Sequence, residues 1–326
     1  MDRAPACGGE QSAEAGRQAT TSDAVRSRGD YREPGAGQGA VRKEDEAGLT
    51  QGIDLEETTG LPLRFDPHSF TLDFGPELEP VRPQARTLPE MRPVLYNQTA
   101  TAPVELYWMY RAVGRPRDRD RLAGQSLRFD VTVLAPGLVG GEYVKTAGHY
   151  HAPLEPGTTA GKGVPAASLE PRGRTYPELY QVLHGLAHYL LQRPAASGPP
   201  GTLDDVVVVE AGPGDCLYVP PGYGHVTINR GPGPLVMANV VEATFVSVYE
   251  PYRRRRGAAY YEVEEDGRGF FVPNGHYPSP PEPRLGRTTR LEDLGLEEGV
   301  PLYAQLTRDP SAFGFLVRPE TDGPLP

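Results

Sequence analysis

The sequence predicts an all-β fold, in which short antiparallel strands form a sandwich or barrel. Glycine (39 residues) and proline (36 residues) are abundant in the 326-residue chain, which shortens helices and favours turns. Short apolar runs recur between these turn residues, and no long helical pattern appears. In the run RFDVTVL, Phe129, Val131 and Val133 alternate with other residues, which is the period of a β-strand.

The predicted strands follow one another closely through the middle of the chain. Besides RFDVTVL (128–134), they are ELYWMY (105–110), GEYVKTAG (141–148), ELYQVL (178–183), AHYLLQ (187–192), DVVVVE (205–210), DCLYVP (215–220), HVTINR (225–230) and LVMANVV (235–241). Many short strands joined by tight turns are typical of antiparallel sandwiches and barrels.

Composition divides the chain into three predicted parts. Residues 1–55 carry few apolar side chains, so they are expected to be a disordered N-terminal extension, or an upstream addition from a misplaced start codon. Residues 56–265 are the predicted barrel domain, and residues 266–326 are a predicted extended C-terminal arm. Residues 152–175, rich in Pro, Gly and Ala, are predicted to form a long loop and a candidate lid.

Charge and cysteine content exclude several classes of protein. The net charge of −10 argues against a nucleic-acid-binding protein, and no apolar run is long enough for a membrane span. No secretory signal is visible. The two cysteines, Cys7 and Cys216, cannot provide a disulfide framework or a cysteine-based zinc site. A cytoplasmic enzyme or binding protein is therefore expected.

Three histidines stand in a pattern that predicts a metal site. His149 and His151 are two residues apart, so on a strand both imidazoles point to the same face. The stretch GDCLYVPPGYGHVTIN (214–229) matches G-x5-P-x-G-x2-H-x3-N and places His225 after a Pro-Gly turn. This is the second motif of the cupin superfamily, whose fold is a double-stranded β-helix or jelly-roll barrel.

The first cupin motif also supplies a glutamate, for which two residues compete. Glu178 and Gly185 satisfy its E-x6-G element, but residues 152–177 make the gap after His151 unusually long. Glu155 has the usual spacing, yet neighbouring prolines oppose a strand there, so Glu178 is favoured. Three imidazoles and one carboxylate suit Fe(II), Mn(II), Zn(II) or Ni(II). The alternative is a metal-free cupin in which these histidines are ordinary core residues.

The sequence around these residues resembles the cupin-type glucose-6-phosphate isomerases of archaea and bacteria. The resemblance rests on TAGHYH (146–151), YPELYQVLHGLAHYLLQ (176–192) and YVPPGYGHVTIN (218–229), and it extends from about Leu63 to about Tyr249. It implies a metal-dependent interconversion of glucose 6-phosphate and fructose 6-phosphate, in glycolysis or gluconeogenesis. It also implies one divalent ion per subunit, with Fe(II) the first choice, and a homodimer.

The resemblance further implies roles for individual residues. The implied metal ligands are His149, His151, Glu178 and His225; the implied phosphate-binding positions are Thr132, Thr146 and Gly148, with Tyr107 nearby; and Tyr180 and Tyr249 face or close the substrate pocket. Glu178 is also a candidate base, and the Tyr180 hydroxyl is a candidate proton shuttle. Because Gly148 lacks a Cβ, a phosphate oxygen is expected to approach its backbone closely.

Two positions depart from the family pattern. Val241 and Ser247 stand where the family can carry a tyrosine and a histidine, so rate or substrate preference is expected to differ. Two other functions stay open, an Fe(II) cupin oxygenase and a non-catalytic sugar-binding cupin. For an isomerase, a hydride shift and a proton transfer through an enediol are both compatible with the sequence.

Overall fold

The structure is a computed structural model that describes residues 52–101, 103–154, 174–320 and 323–326. Its strands are β1 (Ile53–Asp54), β2 (Leu63–Asp66), β3 (Thr71–Phe74), β4 (Gln84–Thr87), β5 (Glu105–Tyr110), β6 (Leu127–Leu134), β7 (Leu138–Val139), β8 (Glu142–Tyr143), β9 (Tyr150–His151), β10 (Glu178–His184), β11 (Ala187–Pro194), β12 (Leu203–Ala211), β13 (Cys216–Val219), β14 (Gly224–Asn229), β15 (Leu235–Glu242), β16 (Ser247–Val248), β17 (Tyr260–Glu265), β18 (Arg268–Pro273) and β19 (Arg284–Leu285).

The helices are short. They are α1 (Glu56–Thr59), α2 (Leu88–Met91), α3 (Arg119–Ala123), α4 (Glu250–Arg254), α5 (Leu302–Arg308) and α6 (Gly314–Val317), with 3₁₀ turns at Arg92–Val94, Pro116–Asp118, Leu291–Leu294 and Pro310–Phe313. The longest described helix, α5, has 7 residues. None of the helices in the described ranges has the length and apolar character needed to cross a membrane.

Two antiparallel sheets enclose the main apolar core. One has the strand order β13-β10-β15-β6-β5-β4, and the other has the order β14-β11-β12-β19, in which β19 joins β12 in parallel. Side chains from both sheets meet in one buried cluster, for example Val182 and Met237 from the first and Leu191 and Val209 from the second. These sheets confirm the predicted all-β cupin fold, and eight of the predicted runs overlap strands β5, β6 and β10–β15. The run GEYVKTAG is a strand only at Glu142–Tyr143.

The six-stranded sheet is buried on both faces. Leu134 and Val182 point into the barrel, whereas Val131 and Val133 point to a second buried cluster on the outer face. Because successive side chains of a strand point to opposite faces, both classes of position along β6 are covered by other parts of the chain. This explains why β10 and β15 read as almost continuous apolar runs.

The outer face of this sheet is covered by both ends of the described chain. Leu63 and Phe65 of β2 pack there, and so do Leu306 of α5 and Phe313. Residues 266–326, the predicted C-terminal arm, thus include the short helices α5 and α6, which pack on this face. Leu302 and Leu306 stand four apart and share one helix face, which buries both against the sheet.

The predicted disordered segment and the predicted lid fall largely outside the described residues. Residues 1–51 and 155–173 are not described, and Glu155 lies among the latter. The two ends of the predicted loop are described and adjoin each other. Pro153 and Thr175 form a β-bridge, and the Leu154 N–H donates to the Arg174 carbonyl at 2.9 Å. This closure brings His151 close to β10 despite the long sequence gap.

Candidate metal centre

The four residues that the sequence singled out as metal ligands lie together inside the barrel. One donor atom each from His149, His151, Glu178 and His225 lies within 4.8 Å of the other three. His151, Glu178 and His225 are almost fully buried. Within the described residues, the carboxylate that lies with the three histidines is that of Glu178.

Three strands position these side chains. His151 ends β9, Glu178 begins β10, and His225 is the second residue of β14. A bridge between His149 and His225 joins the H-x-H segment to β14, and their backbones exchange N–H···O bonds of 3.2 and 3.0 Å. The site is therefore built on paired backbone, which limits the movement of its donors.

Hydrogen bonding orients two of the imidazoles toward Glu178. His151 Nδ1 lies 2.7 Å from the Tyr176 carbonyl, so in the neutral ring Nδ1 carries the proton and Nε2 carries a lone pair. That Nε2 lies 3.2 Å from Glu178 Oε2, and His225 Nε2 lies 3.3 Å from the same oxygen. A lone pair facing an ionised oxygen is repulsive unless a proton or a cation lies between them.

The buried environment also sets the charges of these groups. Burial, reinforced by His225 and His151, holds the pKa of His149 well below its usual range, and burial also lowers the pKa of His225. Neutral imidazoles and an ionised carboxylate are the forms that bind metal ions.

Unsatisfied polar atoms indicate what the site holds. His149 Nε2, His151 Nε2, Glu178 Oε2 and His225 Nδ1 are buried and lack a hydrogen-bond partner in the described part of the chain. Buried polar atoms are nearly always paired, so these orphaned atoms on four clustered residues need a further partner. A divalent first-row metal accepts three nitrogen ligands and one oxygen ligand, so the site could hold such an ion.

Two tyrosines predicted to face the substrate adjoin this centre. The Tyr180 hydroxyl lies 3.1 Å from His225 Nε2, and burial, helped by the charge of Glu178, raises the pKa of Tyr180 well above its usual value. The Tyr249 ring centroid lies 5.4 Å from that of His149. Arg86 and Arg253 lie 5.5 and 5.9 Å from the Tyr249 ring, and all three line a small cleft.

The residues predicted to bind the phosphate surround the same region. The buried Tyr107 hydroxyl accepts a bond from the Ala147 N–H at 3.3 Å, and burial, with the nearby Tyr249, raises the pKa of Tyr107 to about 12. Thr146 Oγ1 accepts from the Thr227 N–H at 3.0 Å, which leaves its own proton for a ligand. Thr132 points inward from β6, where it stands opposite two methionines of β5 and β15.

Gly148 is required for a different reason from the one expected. Its φ is +73°, and a Cβ would lie 2.6 Å from Tyr252 Cε1 and 2.6 Å from Val226 Cγ2. The space where a Cβ would stand is thus filled by protein side chains. Backbone conformation and close packing explain this glycine, because L side chains rarely adopt such a φ.

Both departures from the family pattern lie at the centre. Val241 of β15 stands directly opposite Glu178, and Ser247 of β16 stands directly opposite His151. The side chains at these two positions therefore neighbour metal-binding candidates.

A charged group near the centre was missed by the sequence analysis. Asp130 is fully buried and accepts bonds from Arg111 Nη1 at 2.7 Å, from Arg128 Nε at 2.9 Å and from the Ala112 N–H at 2.8 Å. A signal was present, because Asp130 is an acidic residue inside the strand RFDVTVL, on the face opposite to Phe129 and Val131. Its partner Arg111 could not be inferred, since the contact depends on the pairing of β5 with β6.

Comparison with known proteins points to one family. The model of the glucose-6-phosphate isomerase (GPI) family matches residues 90–278. The chain is 27% identical over 211 residues to glucose-6-phosphate isomerase of Thermococcus litoralis, covering 62% of this chain and 92% of that protein. It is 30% identical over 148 residues to glucose-6-phosphate isomerase of Pyrococcus furiosus, covering 45% of this chain and 63% of that protein.

Solved structures are more distant. A mutant of Bacillus subtilis oxalate decarboxylase OxdC aligns with a TM-score of 0.29 and 12% identity, over 51% of this chain and 28% of that one. The vicilin of Solanum melongena aligns with a TM-score of 0.29 and 12% identity, over 44% of this chain and 30% of that one. The family match, in contrast, spans more than half of the chain and includes all four residues of the candidate metal centre. The chain therefore belongs to the cupin-type glucose-6-phosphate isomerase family.

Proposed function

We propose that this protein interconverts glucose 6-phosphate and fructose 6-phosphate, with a divalent metal ion held by His149, His151, Glu178 and His225. The observation that carries the proposal is the convergence of these four donors on one point in a chain of this family. Fe(II) is the first choice of ion, and Mn(II), Zn(II) and Ni(II) are the alternatives.

The reaction moves one hydrogen between C1 and C2 of the open-chain sugar, and O1 and O2 exchange oxidation level. Its barrier arises from negative charge that develops on these oxygens. A bound divalent ion would supply a Lewis acid for that charge. This requirement applies both to a hydride shift and to a proton transfer through an enediol.

The side chains of the chain supply the remaining tasks. In the enediol route a base accepts the carbon-bound proton, and Glu178 is the candidate because it is ionised at neutral pH and lies at the centre. The Tyr180 hydroxyl, which neighbours His225, is the candidate for moving a proton between O1 and O2. The barrel interior excludes bulk water from both groups, since Glu178 and Tyr180 are almost fully buried.

The phosphate serves as a handle whose binding energy positions the reacting carbons. Thr146 and Thr132 offer hydroxyl donors, and the backbone of Gly148 and the Tyr107 hydroxyl lie in the same region. Arg86 and Arg253 beside Tyr249 add positive charge to the cleft. A phosphorylated sugar should therefore bind more tightly than its unphosphorylated counterpart.

Some assignments for the whole protein stay predictions. A homodimer, a cytoplasmic location and a place in glycolysis or gluconeogenesis are expected for an enzyme of this kind. Sedimentation and gel filtration of the purified protein would test the dimer.

A coupled assay tests the proposed function. Fructose 6-phosphate should be converted to glucose 6-phosphate, the activity should disappear with a chelator, and Fe(II) or Mn(II) should restore it. His225→Ala should abolish metal binding and turnover together, whereas His68→Ala, at an exposed position, should change neither. Full activity of His225→Ala, or an absence of isomerisation by the metal-loaded protein, would contradict the proposal.

A second variant tests the phosphate handle. Thr146→Val removes the hydroxyl and keeps the shape, so it should raise KM for the phosphorylated sugar by roughly tenfold. Thr71→Val, on an exposed strand position, is the matched control. An unchanged KM in Thr146→Val would remove this threonine from the phosphate site.

A further inference from the structure

Polar side chains form a row across the inner face of the six-stranded sheet. Asp130 of β6 stands opposite Asn239 of β15, and Asn239 stands opposite Tyr180 of β10. Arg111, which follows β5, extends the row through its bond to Asp130. Tyr180 is two residues from Glu178, so the row runs along the floor of the candidate metal centre.

The charges within this row do not cancel. Asp130 is one carboxylate, and it binds the two guanidinium groups of Arg111 and Arg128. Arg128 is further held by the Ala243 carbonyl at 2.7 Å and packs against the Phe245 ring. Taken alone, the row with Arg128 therefore carries one net positive charge.

Arg111 is the member of the row that is open to a ligand. Its side chain is 38% exposed, whereas that of Asp130 is fully buried. Nη1 donates to Asp130 and Nη2 lies 3.3 Å from Met109 Sδ, a weak acceptor, so this five-donor group keeps donors for another partner. The bond to buried Asp130 fixes the direction of the guanidinium.

Arg111 also lies close to the reacting end of the site. Burial lowers the pKa of Arg111, but Asp130 outweighs this, and the charges of Glu178 and Tyr249 act in the same direction as Asp130. The strand register agrees, because Asp130 is linked through Asn239 to Tyr180, which stands two residues from Glu178. Asn239 stands beside Asp130 in the row, and its Nδ2 is a buried donor without a partner in the described part of the chain. An orphaned amide inside a polar row points to an acceptor supplied by a ligand.

We propose that Arg111, held in place by Asp130, is a catalytic residue that donates hydrogen bonds to the C1 and C2 oxygens of the sugar while they carry negative charge. This inference rests on the proposed isomerase function. When the C2 proton of glucose 6-phosphate leaves to a base, its electron pair forms the C1–C2 double bond and the carbonyl pair moves to O1. Protonation at C1 and transfer of the O2 proton to O1 then give fructose 6-phosphate. A fixed cation beside these oxygens stabilises the charged state more than the neutral substrate.

Two ligands that differ at a single carbon, one with a carboxylate there and the other with an alcohol, provide the test. Arabinonate 5-phosphate carries a carboxylate where the intermediate carries its charge, and arabinitol 5-phosphate carries a neutral alcohol there. Calorimetry on the metal-loaded protein should show that Arg111→Ala weakens the arabinonate by about 10- to 100-fold, the value of a lost charged hydrogen bond. The binding of arabinitol 5-phosphate should weaken by less than about threefold. In the isomerase assay, kcat of the variant should fall while KM changes little.

Matched variants separate this role from a structural one. Arg111→Ala leaves Asp130 bound to Arg128 and to the Ala112 N–H, so the fold should persist, as a thermal melt would show. Arg111→Lys should recover part of the arabinonate affinity, because it restores the charge. Arg119→Ala, at an exposed ion pair on α3, should bind both ligands like the unmodified protein.

The possible outcomes are distinct. Equal weakening of both ligands would make Arg111 a phosphate ligand and overturn the proposal, and so would unchanged binding of both. If the unmodified protein binds both ligands but does not isomerise the sugar phosphates, the proposed function fails. The selective loss of arabinonate binding in Arg111→Ala would still be measurable in that case.

Discussion

Replacing Glu178 by glutamine should separate metal binding from the stability of the metal-free protein. The carboxylate is buried, and its Oε2 lies 3.2 Å from His151 Nε2 and 3.3 Å from His225 Nε2. Without a metal ion, the fold bears the desolvation of this charge, which amounts to several kcal/mol. Glu178→Gln keeps the shape and removes the charge. We therefore expect the metal-free variant to be as stable as the original protein or up to about 2 kcal/mol more stable.

The metal-loaded forms should respond in the opposite direction. An ion present at about 1,000 times its Kd stabilises the folded protein by about 4 kcal/mol. If the loss of the carboxylate weakens the ion by about 100-fold, about 2.7 kcal/mol of that stabilisation disappears. A domain of this size changes its Tm by about 2–4 °C per kcal/mol. The metal-induced rise in Tm should thus fall from roughly 12 °C to roughly 4 °C.

Thermal melts with and without metal measure both effects. Glu265→Gln, at an exposed position on β17, is the control and should keep the full metal-induced shift. An equal shift in Glu178→Gln and the original protein would show that Glu178 is not a ligand. A metal-free variant destabilised by more than about 3 kcal/mol would refute the argument that this charge is costly to bury.

Three further substitutions test the fold. Gly148→Ala should destabilise the fold by about 2–5 kcal/mol, because φ is positive there and a Cβ would overlap with neighbouring side chains. Gly137 also has a positive φ but open space beside it, so Gly137→Ala should cost about 1–2 kcal/mol. Urea unfolding measures both free energies. Phe313→Ala should cost about 3–5 kcal/mol by the same measurement, because this ring is fully buried beneath the C-terminal segment. Burial lowers the pKa of His188, but the hydrogen bonds that its ring donates to Glu262 outweigh burial and raise the pKa overall. The charged imidazole therefore stabilises the fold, fully below about pH 6.5 and less as pH rises through the raised pKa. His188→Gln should accordingly lower Tm more at about pH 6 than at about pH 9. Equal losses at both pH values would show that the charged imidazole does not stabilise the fold.

The parts of the site that depend on local sequence could be predicted. The stretch from Gly214 to Asn229 contains a strand, a turn and a second strand, and the structure places β13 and β14 there. The spacing of His149 and His151 likewise indicated two imidazoles on one side. The motif around Glu178 indicated a glutamate that the structure places beside the three histidines, although the long gap before it gave no hint that Pro153 and Thr175 pair.

Other features depend on contacts between distant segments and could not be predicted. The bond between Arg111 and Asp130 exists because β5 pairs with β6 in one particular register, which sequence spacing does not specify. Helix α5 is too short for its apolar face to be recognised, and only the sheet beneath it shows why Leu302 and Leu306 are apolar. The close packing that requires Gly148 involves Tyr252, a residue far along the chain.

The bridge between Pro153 and Thr175 makes the barrel a suitable host for exchangeable loops. Leu154 and Arg174 flank the residues that are not described, and one backbone hydrogen bond joins them. Segments of different length or chemistry could be grafted between them while His151 and Glu178 keep their separation. Engineered versions with a shorter or a longer segment there should then keep the same cluster of metal-binding candidates.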